Sequence, residues 1–277
     1  MSTSENNNQP KTTDCTIDAF RNTNHLHLLE LIWTKAMLNL RSEVHRNYLS
    51  YLWWFIEPLI HMVMYYLVFG FLLQRGGPDF PVFLLIGLVP WMWFRKTLSS
   101  SSSSIIAGHK LMMQVGLPAI SFPLVRVIQA AIKQVPIFFL LFGFLWVVGY
   151  PPQLIWFAVV PVMIVQALVA TAMGCCIAAI IPFLRDLQYL VTTGLMFLMF
   201  VSGIFYSYKN IPEQYQEYFL MNPAAYLIMC YRKIFLESSL PDMIELSYWG
   251  IGAFVSCLLI VFAYSKLQYI YPRVILK

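Results

Sequence analysis

Charged side chains are scarce in this chain: of 277 residues, 18 are Lys or Arg and 13 are Asp or Glu, 11% in all, against roughly 25% in a soluble domain. A soluble fold of this length needs far more ionised surface, so a soluble globular enzyme is excluded. The counterpart is a hydrophobic share of 59% and a mean hydropathy of +0.67; lipid forms part of this protein's solvent. Signatures of chemistry are missing too. No GxxxxGKS/T loop, GxSxG elbow or HExxH pair occurs, which excludes nucleotide hydrolysis by a phosphate-cradling loop and the familiar hydrolase and zinc-protease sites. The five cysteines, Cys15, Cys175, Cys176, Cys230 and Cys257, make no CxxC or Cys/His spacing. Neither a disulfide framework nor a metal site is expected, and they read as small buried hydrophobes. The net charge of +5 comes without a basic run, which argues against nucleic acid and for membrane orientation. The first 25 residues hold no apolar run of signal-peptide length, so 1–25 is expected to be a disordered cytoplasmic tail.

What is present is helical periodicity and long apolar runs. Leu28, Leu29, Ile32, Trp33, Ala36, Met37, Leu40 and Val44 fall on one side of a 3.6-residue repeat, with Lys35, Asn39, Ser42 and Arg46 on the other. Too polar to span, residues 26–50 read as an amphipathic helix in the membrane interface. Spans of about 20 residues are then expected at Leu52 to Leu73, Val127 to Val148, Leu154 to Ile181, Leu187 to Tyr206 and Leu246 to Lys266. A further span from Phe80 to about Ile105 contains Pro90, Arg95, Lys96 and six serines, Ser99 to Ser104. A serine tract is often a linker. Only 15 residues separate Phe80 from Arg95, too few to cross, so the helix is expected to continue through the serines, which would face other helices or a polar cavity. The fold class is thus an all-α membrane protein of six spans over residues 51–268, followed by a cytoplasmic tail, 269–277.

Basic residues set the orientation. With the N-terminus inside, eleven of the 18 lie on the cytoplasmic side: Lys11, Arg21, Lys35, Arg41, Arg46, Lys110, Arg126, Arg185, Lys266, Arg273 and Lys277. Arg75, Lys209, Arg232 and Lys233 fall outside, so both termini are expected inside. Two connections are more than turns: a short polar-headed helix between Ile106 and Arg126, and the external stretch Lys209 to Leu240 with short helices after Pro212 and Pro223. No internal repeat of the halves is visible, which weakens a secondary-transporter reading.

Ionisable residues in or beside the spans are Glu57, His61, Arg95, Lys96, Lys133 and the pair Arg185 and Asp186. Charge in hydrocarbon is expensive, so each invites a functional hypothesis. For Glu57 and Lys133 the favoured role is helix-to-helix pairing. Asp186 can complement the dipole of the helix it begins, leaving Arg185 to face the cytosol or a partner protein, although a plain tight turn is the alternative.

Five segments in order, LSYLWWFIEP (Leu49 to Pro58), FPVFLLIGLVPWMWF (Phe80 to Phe94), AGHKLMMQVGLP (Ala107 to Pro118), FLRDLQYL (Phe183 to Leu190) and NPAAYLIMCYRKIFL (Asn222 to Leu236), resemble the permease subunit of bacterial polysaccharide ABC exporters, the O-antigen, capsule and teichoic-acid transporters. The likeness runs from about residue 28 to 268. It implies a homodimer of six-span subunits joined to two copies of a separate ABC ATPase, which binds ATP and Mg; this chain would hold no cofactor. A lipid-linked glycan would pass outward between the subunits in the inner membrane. Trp33, Met37 and Leu40 would lie on the family's gate helix, and the external short helices would be re-entrant. His109, Lys110, Leu111, Met112 and Met113 would form the ATPase-coupling helix, supported by Arg185 and Asp186. The six-serine run departs from the family's usual mixture.

Helical spacing places Trp91, Arg95 and Ser99 in one row, and these are the expected channel residues. With 45 aromatics, 16% of the chain, many rings belong to interfacial belts, and others can pack on sugar faces. Three rivals remain: an ion-coupled transporter using Glu57, His61 or Arg95, a membrane glycan or lipid transferase, and an ABC permease for a drug or small lipid.

Overall fold

The computed structural model describes residues 25–46, 50–74, 77, 79–267, 270, 271 and 274. The expected tail 1–25 lies outside them apart from its last residue, as does most of 269–277. Among the described residues every regular element is a helix. Helix α1 (His25–Arg46) precedes α2 (Ser50–Tyr65), which continues as a π-helical turn, Tyr66–Leu72. Next come α3 (Phe80–Ser102), α4 (Ser104–Ala107), α5 (His109–Val115), α6 (Ser121–Val148), a 3₁₀ turn at Leu154–Ala158 and α7 (Val159–Ile180). The chain closes with α8 (Leu187–Val201), a 3₁₀ turn at Tyr208–Asn210, α9 (Glu213–Leu220), α10 (Pro223–Phe235) and α11 (Met243–Leu267).

Five of these stretches are long and apolar enough to cross a membrane: Leu52–Leu72, Phe80–Ser102, Ser121–Val148, Leu154–Ile180 and Met243–Leu267. The sixth expected span, Leu187 to Tyr206, is helical only to Val201. Its 15 residues rise about 22 Å, short of the ~30 Å hydrocarbon core. The remainder turns through Gly203, whose φ of +71° only glycine adopts without strain. Non-helical backbone at that depth needs internal partners, and Arg232 of α10 supplies them. Its guanidinium donates to the carbonyls of Gly203 (2.6 Å), Ile204 (2.8 Å), Tyr206 (3.3 Å) and Phe83 (3.4 Å), and it lies over the Phe83 ring at 3.4 Å. Arg232 was expected only as an external charge.

Helix α3 is the pillar. Seventeen of its residues are buried, and α2, α6, α7, α8 and α10 all pack on it. It runs through the first four serines to Ser102, where Ser103 interrupts it short of the expected end near Ile105; the hydroxyls bond back to their own helix, Ser100 to the Thr97 carbonyl (3.3 Å) and Ser102 to that of Ser99 (2.7 Å). Small side chains also permit close approach. A Cβ on Gly174 of α7 would sit 3.2 Å from Ser101 Oγ. Polar clamps hold the bundle beside Pro90: Gln166 Nε2 donates to the Pro90 carbonyl at 2.8 Å, Tyr231 Oη donates to Gln166 Oε1 at 2.8 Å, and Gln134 Nε2 donates to the Val89 carbonyl at 3.3 Å.

The amphipathic α1 packs along α6 through Ile32, Ala36 and Leu40, buried at i, i+4 and i+8. Ala36 lets the backbones approach, so Gln129 Nε2 reaches its carbonyl at 3.4 Å. Leu29 and Trp33 stay exposed, so the apolar stripe is wider than the contact and leaves a lipid-grade flank.

Candidate functional site

Between α1, α2, α3, α6 and α8 lies a hollow of about 590 Å³. Each helix contributes one face. From α3 come Trp93, Arg95, Lys96, Ser99 and Ser100; from α6, Arg126, Gln129, Lys133 and Gln134; from α2, Trp53, Trp54, Glu57 and Tyr65. Helix α8 adds Thr192, Leu195, Met196 and Met199, at i, i+3, i+4 and i+7, and α1 adds Glu43. Four cations therefore face two acids in the lining.

The charges are cross-linked. Glu57 takes a bond from Lys96 Nζ at 2.5 Å and sits 4.0 Å from Arg95. Lys133 Nζ reaches Glu43 at 2.6 Å and lies 5.2 Å from the centre of the Trp54 ring. Pairing between helices was the role expected of Glu57 and Lys133. Arg126 donates to Gln129 Oε1 at 3.3 Å. Near it, Lys35 lies over the Phe122 ring at 4.4 Å; burial, then the charge of Arg126, holds its ammonium below the usual lysine range. Pairing lowers the cost of charge beside hydrocarbon: Lys96 and Lys133 are each held by a carboxylate, Arg126 bonds the neutral Gln129, and the lining keeps a cationic excess.

The expected channel row is divided. Arg95 and Ser99 line the hollow, whereas Trp91 does not. Trp91 is 1% exposed, packs on Phe94 with ring centres 5.9 Å apart, and borders a small crevice with Gln166, Ala224 and Leu227. Of the residues expected on a gate helix, Leu40 of α1 is buried, Met37 half-buried and Trp33 exposed; none lines the hollow.

The residues expected to couple to an ATPase also separate. Helix α5 is stopped by Gly116, left-handed at φ +67°, whose N–H closes on the Met112 carbonyl. Met112 is 3% exposed and packs inward with Ile105, Phe122 and Cys175. Lys110 and Met113 are exposed, and His109 and Leu111 half-buried. Met112 thus fastens α5 to its own domain and is not on the outward face. Arg185 and Asp186 are both exposed, in the turn joining α7 to α8.

The sequence reading passed over Arg126, Gln129, Lys133 and Gln134 as a lining. Their signal was a polar series at i, i+3, i+7 and i+8 in an otherwise apolar helix.

An apolar helical bundle around a charged, aromatic hollow defines the class: a polytopic membrane protein. The particular family follows from comparison: residues 30–236 match the ABC-2 type transporter family, and the chain belongs to it. It is similar to the O-antigen export system permease protein RfbA of Klebsiella pneumoniae, 25% identical over 251 residues, 90% of this chain and 96% of that protein. The RfbA permease of Myxococcus xanthus is 29% identical over 218 residues, 76% of this chain and 82% of the relative. The polysialic acid transport protein KpsM of Escherichia coli is 25% identical over 220 residues, 78% of this chain and 85% of the relative.

Proposed function

We propose that this chain is the permease subunit of an ATP-driven exporter that moves a lipid-linked polysaccharide of the O-antigen or capsule kind across the bacterial inner membrane. The hollow carries the proposal. A ~590 Å³ space with Trp53, Trp54, Tyr65 and Trp93 beside Arg95, Lys96, Arg126 and Lys133 offers flat faces for sugar rings and donors for hydroxyl or acidic groups. Rings grip a sliding polymer without fixing its register. Its position on the flank between α2 and α8 suits half of a channel, closed by a second copy of the chain.

Energy comes from two copies of a partner ATPase, which hold ATP and Mg. The outward residues of α5, above all Lys110 and Met113, with Arg185 and Asp186 beside them, meet that partner from the cytoplasmic side, where both termini lie. An ion-coupled mechanism is less well supported: Glu57, its natural proton carrier, is engaged by Lys96 and Arg95.

Arg95→Gln tests the channel role. It keeps a polar side chain but removes the charge. The expected outcome is a folded complex that retains its ATPase and exports at least tenfold less glycan. Undiminished export, or failure of the complex to assemble, would remove Arg95 from the path.

A further inference from the structure

Two cytoplasmic elements, α5 and the turn at 182–186, are proposed above to meet the ATPase. They come from different parts of the chain, and a third part joins them. Beyond α11, Ile270 N donates to the Leu267 carbonyl at 2.8 Å and Val274 N to that of Ile270 at 3.1 Å, and Tyr271 packs back against the bundle. Tyr271 is 0% exposed. Its hydroxyl donates to the Ala179 carbonyl at 3.2 Å, in the last turn of α7, where carbonyls lack intrahelical donors. One turn back along α7, the Cys175 carbonyl accepts from Tyr264 Oη at 2.9 Å, so two tyrosines fasten successive turns of α7 to the C-terminal part of the chain.

The Tyr271 ring meets the turn directly and shares a buried cluster with Met112 of α5. It lies 5.7 Å from the ring of Phe183, inside the 182–186 turn, and 5.9 Å from that of Tyr264. The same buried cluster contains Ile105, Met112 of α5, Phe122 and Ala178. Close-packed side chains transmit displacement because they cannot be compressed. Burial lifts the Tyr271 hydroxyl to about 12, so it remains a neutral donor throughout the physiological range.

We infer that Tyr271 is a positioning residue that ties α5 and the 182–186 turn into one rigid docking face, so that the ATPase moves both together. The inference rests on the ATPase docking proposed above. It gives the C-terminal segment a role that neither its composition nor its length suggested.

The test is a set of ATPase-affinity measurements on the purified full-length permease. Met113→Ala, Asp186→Ala and their combination are compared in the native background and in Tyr271→Ala. With a single rigid face, the two substitutions are expected to be non-additive in the native background, by about fivefold or more in Kd, and additive once Tyr271 is lost. Tyr271→Phe keeps the ring but loses the bond to Ala179, and is expected to reduce the non-additivity about twofold. It carries the test alone if Tyr271→Ala does not fold. Equal non-additivity with and without the tyrosine side chain overturns the inference while leaving the docking site intact, and so does an unchanged value in Tyr271→Phe when that variant stands alone. If neither Met113→Ala nor Asp186→Ala weakens binding in the native background, the docking reading itself fails and takes the inference with it.

Discussion

At the residue scale, Arg232 shows how one cation can complete a fold. Its partners are carbonyls from the break after α8 and from α3, together with an aromatic face. A planar fork of donors suits divergent carbonyls, whereas a lysine ammonium is a point charge on a flexible stem. Leaving a buried carbonyl without a donor costs about 1–3 kcal/mol. Arg232→Ala is therefore expected to abolish recovery of monodisperse permease, with Arg232→Lys intermediate, as read by thermal unfolding in detergent; wild-type melting of both variants would contradict this. Arg95 belongs to the other kind. It is 39% exposed into the hollow and only 4.0 Å from Glu57, so its loss should affect transport rather than folding.

The difference between these two arginines was not legible in the sequence. Arg95 announced itself by standing inside an apolar span. Arg232 stands in a segment rich in polar and aromatic residues, and its need arises from a helix ending early at Val201, which the high hydropathy of the stretch to Tyr206 concealed although Ser202 and Gly203 mark the break. Trp91 was misplaced for a related reason. The lining of α3 sweeps from Arg95 through Ser99 and Lys96 to Trp93, and Trp91 stands about 40° beyond its edge at 100° per residue. Spacing fixes which residues neighbour one another on a helix but not where the wet arc ends; packing of α10 decides that.

At the scale of elements, five of the six span positions followed from hydropathy and length, whereas the expected span Leu187 to Tyr206 is a 15-residue helix ending at Val201. The continuation of α3 into the serines followed from too few residues before Arg95. The amphipathic α1 was equally legible, because its apolar period is regular; only the width of its contact had to be seen. For α5 the periodicity was too short to separate faces. Met112 and Met113 are neighbours of the same chemistry, yet one is 3% and the other 49% exposed. Met113→Asp is accordingly expected to leave the permease folded in the membrane while cutting ATPase co-purification by more than half. Met112→Asp places a carboxylate in an apolar cluster and should instead lower the yield of folded permease. Quantitative co-purification normalised to folded permease separates the two. The reverse pattern would invert the assignment of faces.

At the scale of the whole molecule, the chain combines a lipid-grade exterior, a cationic hollow open on one flank and the proposed docking face of α5 and the 182–186 turn. None of the three is sufficient alone. The exterior makes it a membrane protein; in the proposed function the hollow is the conduit for polar cargo and the docking face makes the chain dependent on a partner for energy. That dependence is the central claim, and it is tested most directly by reconstitution. The permease, purified with its ATPase, is placed in proteoliposomes carrying lipid-linked O-antigen or capsular glycan, and arrival of glycan on the far face is followed with a glycan-specific lectin. The account predicts arrival only when ATPase, ATP and Mg are all present. Arrival driven by an ion gradient with the permease alone would contradict it.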